Sequence, residues 1–439
     1  MRDTIFALSS GSPPAGVAVI RISGPAVRFG LETVIGRVPP ARRAHLAHLH
    51  DEAGQVLDHG LILFFPGPHS FTGEDVAELQ IHGGRASLSA VLAVLSKLPG
   101  FRLAEPGEYT KRAFENGRMD LTAVEGLSDL IRAETEAQRR QAVGQAEGAL
   151  RQLYETWARR ITHARAMVEA ELDFSDEEDI PGSVTDRIWP ELEGLEAEIT
   201  AHLSRSKAGE IVRDGFRIAL VGPPNAGKSS LLNALARRDV AIVSDIPGTT
   251  RDIVEVRLDI DGHLVLLQDT AGLREARDEI EQEGIRRSVA AAATADLVVA
   301  LYDVHINSDE PEISVSPDVK SIKIWSKSDL LQDGNGPTDG LLVSSKSGEG
   351  IDALLSEIGR AISETAVSTG EILPTRERHI QYLKLCQREL EAAVSGASLP
   401  IEVRSEYLRD AASALGRITG TVDVEDLLGV IFSEFCVGK

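Results

Sequence analysis

Apolar residues between positions 1 and 118 fall in short runs, GVAVIRIS (16–23), GLILFF (60–65) and VAELQI (76–81), separated by Gly/Pro turns. This texture predicts a domain dominated by strands. From about Leu121 the apolar spacing becomes helical, with few turn residues as far as an acidic stretch at 173–179 and the Ile180-Pro181-Gly182 that follows it. Helical texture resumes to about Ala208, strands then alternate with helical patterns over 216–365, and after Leu373-Pro374 the helical pattern returns and continues to the last residue. Alternation of that kind is the signature of a parallel sheet with crossover helices. The expected architecture is multidomain, α/β plus α+β. A β-rich domain (1–118) precedes a helical domain in two parts (119–210 and 371–439), with an α/β domain (211–370) inserted between them, as the closeness of domain termini permits. No internal repeat is present, and 290–293 reads as a helix interior.

Composition narrows the classes. Of 439 residues, 42% are hydrophobic and 26% charged, an ordinary globular balance, and no apolar run approaches the ~18–20 residues that cross a bilayer. The opening MRDTIFALSSGSPPAG has no basic region ahead of a continuous apolar stretch, so a cytoplasmic protein without a secretory signal is expected. Two cysteines, Cys386 and Cys436, exclude a disulfide framework and a thiolate metal centre. A net charge of -22 argues against non-specific coating of nucleic acid, which needs a basic surface. Residues 1–120 are balanced, 12 Lys+Arg against 12 Asp+Glu, so the rest of the chain carries the excess and a nucleic acid would have to meet a local basic patch or a second subunit. The 11 histidines form no ligand-spaced cluster; His82, ahead of Gly83-Gly84, reads as a turn residue, and Cys386 in YLKLCQREL as helix core.

The chemistry concentrates in the α/β segment. FRIALVG (216–222) is a buried strand running into Gly222-Pro223-Pro224-Asn225-Ala226-Gly227-Lys228-Ser229-Ser230 and an apolar helix, a phosphate-binding loop in its required context. Glycines let the backbone N–H groups converge on phosphate oxygens, Lys228 supplies positive charge to the β/γ-phosphates, and the Ser229 hydroxyl suits Mg²⁺. VLLQDTAG (265–272) ends in Asp269-Thr270-Ala271-Gly272, where the acid reaches Mg²⁺ through water and the glycine N–H meets the γ-phosphate. Between these loops, Thr250 in Gly248-Thr249-Thr250-Arg251-Asp252 completes the Mg²⁺ shell in a loop that orders when γ-phosphate is bound. SIKIWSKSD (321–329) delivers Lys327 and Asp329, and a carboxylate at Asp329 accepts from the ring N–H and exocyclic amine of guanine, a donor pair that adenine lacks. GTP is therefore expected over ATP. Usual GTPases have Asn where this chain has Ser326, and Ser344-Ser345-Lys346 resembles the backbone that contacts the guanine carbonyl. Leu273 follows DTAG and cannot orient water, so a polar residue of 277–288 has to, with a solvated helix face as the alternative role of each acid there. Asn225 and carbonyls of the preceding switch point to a monovalent cation as a further positive charge.

Beyond the nucleotide loops, Arg21-Ile22-Ser23-Gly24-Pro25, FTGEDVAELQIHGG (71–84), PGEYTKRAFENGRMDL (106–121), LRDAASALGRITG (408–420) and EDLLGVIFSEFCVGK (425–439) make the chain resemble, over its full length, the bacterial tRNA-modification GTPases of the MnmE (TrmE) family. The resemblance implies an N-terminal domain that dimerises and binds 5-formyl- or 5,10-methylene-tetrahydrofolate through Arg21, Glu78, Arg118 and Lys439. It implies K⁺ on Asn225 with carbonyls of Ser244, Ile246 and Thr249 in the segment that also holds Asp245 and Pro247, Mg²⁺ on Ser229 and Thr250, and a water-orienting Glu281. It implies homodimers whose G domains pair with K⁺, and an FAD-dependent MnmG-type partner in a heterotetramer or larger complex. That assembly adds a carboxymethylaminomethyl-type group to carbon-5 of the wobble uridine of certain tRNAs; the acidic balance of this chain points to tRNA being held mainly by the partner. The resemblance also favours a chemical role, as nucleophile or proton donor, for Cys436, otherwise a small residue packing the last helix, since a neighbouring ammonium such as that of Lys439 favours a thiolate. The competing expectation is a regulatory switch GTPase in ribosome assembly or a membrane-associated process, without tRNA chemistry.

Overall fold

Alternation along the strand of residues 15–23 decides the first layer: Ala18, Ile20 and Ile22 are buried while Val17, Val19 and Arg21 between them are not. The computed structural model describes residues 2–173, 185–223, 225–242, 255–269, 293–305, 319–331, 337–365, 371–422, 428, 431, 432, 435 and 438. The chain forms two compact units, one of residues 1–128, 146–160 and 412–439, the other of 129–145 and 161–411.

In the first unit six strands, β1 (Thr4–Leu8), β2 (Ala15–Ser23), β3 (His45–His50), β4 (Val56–Phe65), β5 (Val76–Gly83) and β6 (Phe101–Leu103), lie in the order β3-β4-β5-β2-β1-β6. Helices α1 (Val27–Ile35) and α2 (Arg85–Lys97) pack Val27, Leu31, Val34, Val91 and Leu95 onto its apolar face. Val17, Leu46 and Leu61 stay exposed. The strand reading of 1–118 thus gives the sheet but omits its helices, including α3 (Glu108–Glu115), whose Tyr109 packs with Ile5 and Ala7 on the face opposite α1 and α2. It also misplaces His82, which lies within β5 and bonds Asp58 through Nδ1 at 2.7 Å, because the strand continues to Gly83. From the C-terminal segment, Phe432 and Phe435 pack with Val124 of α4 (Leu121–Arg132), and Ser9 Oγ donates to the Gly438 carbonyl at 2.7 Å.

Helices of the second unit are α5 (Glu136–Ala146), most of α6 (Ala149–Asp173), α7 (Thr185–Leu203) and α8 (Ser206–Asp214), followed by a second sheet. Its elements are β7 (Phe216–Val221), α9 (Lys228–Leu235), β8 (Glu255–Ile260), β9 (His263–Asp269), β10 (Leu297–Asp303), β11 (Lys320–Ser326), β12 (Leu341–Val343) and α10 (Ile351–Thr365). Strand order is β12-β11-β10-β7-β9-β8, all parallel except edge strand β8, which returns against β9 through Asp261-Gly262. Both turn residues have positive φ, 52° and 82°, the twist that two-residue hairpins favour. This turn docks on α5: the Ala137 N–H donates to the Gly262 carbonyl at 3.0 Å, and Arg257 pairs with Glu134 at 2.9 Å. Helical texture returns as α11 (Glu377–Ser395), which packs along α7, and α12 (Ile401–Thr419). Cys386 is fully buried in α11, where burial pushes its thiol pKa up, so it is core.

His202 on α7 is 8% exposed, and burial, aided by the charges of His379 and Arg205, holds its pKa down to about 4. The unfolded chain binds that proton more readily, so stability is present above the ordinary histidine pKa and is lost as pH falls toward 4. Between pH 7 and 5 the loss amounts to about 2 kcal/mol. Calorimetric denaturation of wild type and His202→Gln at both pH values checks this; the variant should show a smaller drop.

Candidate functional site

Hydrogen-bond register brings the loops of the second sheet to one edge. Leu220 of β7 pairs with Asp269 at the end of β9, Asp303 at the end of β10 pairs with Ser326, and Ser326 pairs with Val343 at the end of β12. β7 lies between β9 and β10, so successive connections depart to opposite sides of it, and ligands of open parallel sheets bind beyond the carboxyl ends of strands at such a point.

The loop after β7 is shaped by close approach. A Cβ at Gly222 would lie 2.5 Å from the Leu301 carbonyl oxygen, so only glycine passes there. Gly227 sits at φ 93° and Asn225 at φ 64°, left-handed conformations that curl the loop into the first turn of α9. Lys228 is 7% exposed and its Nζ donates to the carbonyls of Gly222 at 2.6 Å and Pro223 at 2.9 Å, which holds the ammonium over the loop. Ala226 is fully buried, whereas Ser229 and Ser230 are exposed on the helix's first turn, where backbone N–H groups have no intrahelical acceptor.

A second loop cluster follows β11. Lys327 adopts φ 61° and its Nζ pairs with Asp303 Oδ2 at 2.5 Å. Burial opposes the Asp303 charge, but the hydrogen bond and charge of Lys327 and the His305 N–H outweigh it and hold the carboxyl below the usual range. Asp329, exposed in the turn Ser328–Leu330, accepts from Ser344 Oγ at 2.6 Å on Oδ1. Ser344 is itself fully buried, and its Oγ receives the N–H groups of Lys346 and Ser347 at 3.2 and 3.1 Å, so it binds two loops together; Ser345 is half-buried and Lys346 exposed. Ser326 Oγ lies 2.6 Å from the Ala226 carbonyl and 3.1 Å from that of Tyr302. Sequence reasoning missed Asp303 and this serine contact. The apolar strand LVVALY ending in an acid was the available signal for the first; nothing local signals the second.

On the first unit's sheet, Arg21 and Glu78 are cross-strand partners paired at 3.0 Å. The Arg21 guanidinium lies 5.3 Å from the Phe71 ring and 5.8 Å from that of Tyr109, whose hydroxyl donates to the Arg21 carbonyl at 2.7 Å. Burial pushes the Tyr109 pKa up. Arg118 is exposed after α3, and among the described residues no hydrogen bond or ion pair joins it to Arg21 or Glu78. Ser244, Asp245, Ile246, Pro247, Gly248, Thr249, Thr250, Thr270, Ala271, Gly272, Glu281, Cys436 and Lys439, with 290–292, lie outside the described residues, as does the Asp269 side chain. Among the described residues no group of three His, Cys, Asp or Glu could hold a metal ion, and no helix is long and apolar enough to cross a membrane.

A glycine-shaped loop joining a buried parallel strand to a helix, with a buried lysine folded over it and a serine-braced carboxylate two strands away, defines a P-loop GTPase domain. Comparison with known proteins narrows the class. Residues 4–118 match the family model for the GTP-binding protein TrmE N-terminus, and residues 121–436 that for the MnmE helical domain. Proteins described as tRNA modification GTPase MnmE are similar throughout: that of Rhizobium etli (strain CIAT 652) is 52% identical, that of Chelativorans sp. (strain BNC1) 54% and that of Agrobacterium fabrum (strain C58 / ATCC 33970) 50%, each alignment covering 100% of this chain and 99% of the relative. Among solved structures, a single-residue variant of Aquifex aeolicus Era bound to GDP and aluminium fluoride is 21% identical, with a TM-score of 0.28, over 39% of this chain and 66% of that one. The chain belongs to the tRNA modification GTPase MnmE family, and it is a GTP hydrolase.

Lys228→Ala removes the ammonium and leaves the loop's glycines intact. It should weaken GTP binding by about 100-fold in calorimetric titration with little change in melting temperature, since charge-assisted contacts to phosphate supply the affinity.

Proposed function

We propose that this chain, with an FAD-dependent MnmG-type partner, adds a carboxymethylaminomethyl-type group to carbon-5 of the wobble uridine of certain tRNAs, and that K⁺-stimulated pairing of G domains across a homodimer drives the cycle. The observation that carries the reading is the joining of the phosphate loop to the base-side loop at one sheet edge, in a chain of this family. Lys228 neutralises the β/γ-phosphates, and Asn225 to Ser230 supply loop and helix N–H groups. Asp329, braced by Ser344, accepts from guanine, with Lys327, Ser345 and Lys346 lining the base. Ser229, an exposed oxygen donor on the first turn of α9, fits Mg²⁺, which it would hold with Thr250 and, through water, Asp269; the ion supplies charge neutralisation. Asn225, exposed and left-handed, fits K⁺ together with carbonyls of Ser244, Ile246 and Thr249. Glu281 orients the water that attacks the γ-phosphorus as GDP departs, a role Leu273 lacks the polar atoms for.

The Arg21–Glu78 pair over Phe71 and Tyr109 supports a tetrahydrofolate site, with Arg118 and Lys439 reaching the acidic tail, and exposed Val17, Leu46 and Leu61 on the same sheet support docking of a second copy. The net charge of -22 supports tRNA being held mainly by the partner, in the cytoplasm. Cys436 is assigned a chemical role there.

Steady-state hydrolysis should be about tenfold or more faster in K⁺ than in Na⁺ and should collapse in Glu281→Ala and Asn225→Ala. Equal rates in the two salts would remove the cation site. Deleting residues 436–439 should abolish uridine modification while GTP hydrolysis persists; modification that survives would remove the chemical role given to Cys436.

A further inference from the structure

Ser326 ends β11, is 6% exposed, and has one hydroxyl hydrogen facing two carbonyl oxygens, that of Ala226 at 2.6 Å and that of Tyr302 at 3.1 Å. A carbonyl can only accept, so the serine must be the donor. The asparagine that is usual at this position has two N–H hydrogens and can hold a loop carbonyl while donating outward; serine cannot do both. Guanine offers donors at N1 and its exocyclic amine and acceptors at O6 and N7. Asp329, with lone pairs to spare after accepting from Ser344, suits the donors. Nothing at position 326 is left to give to N7.

We propose that Ser326 is a positioning residue that acts on the phosphate loop and leaves the N7 edge of guanine unread. Its hydroxyl ties the end of β11, from which the base-side turn springs, to the carbonyl of Ala226, the residue before Gly227 and Lys228. Beyond the ladders of the sheet, base-side turn and phosphate loop are then tied directly by one buried hydrogen bond. A Cβ at Gly227 would lie 3.7 Å from both Cβ and Oγ of Ser326, so the contact is close-packed without being crowded. The inference rests on Asp329 being the base reader.

The test is steady-state hydrolysis of GTP, 7-deaza-GTP and ITP by the full chain and by Ser326→Ala, Ser326→Thr and Ser326→Asn. Wild type should show a KM for 7-deaza-GTP within about twofold of that for GTP, and a KM for ITP, which lacks the exocyclic amine, raised about tenfold or more. Ser326→Ala strands a buried carbonyl and should raise KM for GTP and 7-deaza-GTP by one common factor of about tenfold. Ser326→Thr should restore both, and Ser326→Asn should create a preference for GTP over 7-deaza-GTP. A wild-type KM for 7-deaza-GTP about tenfold worse than for GTP would overturn the proposal without needing any variant. An unchanged KM in Ser326→Ala would also overturn it. ITP used as well as GTP would bring down Asp329 as the base reader, and the proposal with it.

Discussion

Parallel pairing of β7, β9, β10, β11 and β12 is the constraint on which the nucleotide site depends. A strand covered on both faces must satisfy its backbone groups laterally and fill its length with apolar side chains, as Leu297–Asp303 does, so its polar residues are displaced to the ends. Register then fixes the heights of those ends relative to one another. Leu220 opposite Asp269 and Asp303 opposite Ser326 put the loops at one level, and a slip by one residue would turn every side chain to the other face. The polar contacts at that level, Lys228 on its loop carbonyls, Lys327 on Asp303 and Ser344 on Asp329, are short because the sheet has already set the distances.

The first unit applies the same logic, with two helices on one face of its sheet and Tyr109 of α3 against Ile5 and Ala7 on the other. Burying Ala18, Ile20 and Ile22 beneath two helices forces Arg21 to the other face, where an unsatisfied charge is avoided by Glu78 directly across the strand pair. Aromatic rings at Phe71 and Tyr109 flank the guanidinium and limit where it can swing. A cation held in this way is oriented before any ligand arrives, and less conformational freedom remains to be lost when one binds.

What was legible in the sequence followed from local rules. The strand–loop–helix around Lys228, the strand ending in Asp269 and the apolar run that becomes β2 each depend on residues a few positions apart, and run length and turn chemistry carry them. Helices α1 and α2 were obscured because each lies between strands with Gly and Pro nearby, and α3 because it has only 8 residues behind Pro106-Gly107. The partnership of Lys327 with Asp303 and of Ser326 with Ala226 joins residues 24 and 100 positions apart, a separation at which no periodicity operates. His82 was misread because a glycine pair marks turns in general, while its β5 partners on β2 continue to Ala15.

The inserted α/β domain is joined to the helices by two covalent crossings that run close together: Gly209 of α8 packs against Pro374, and Arg213 donates to the Thr375 carbonyl at 3.0 Å. Two neighbouring supports define an axle, about which a body still turns. The Asp261-Gly262 hairpin, with its Gly262 carbonyl on Ala137 and Arg257 of the preceding strand on Glu134, is a third contact, and any such turning has to break it. The strands leading away from it are β8 and β9, the second of which ends at Asp269, so the hairpin contact and the phosphate edge are opposite ends of one strand.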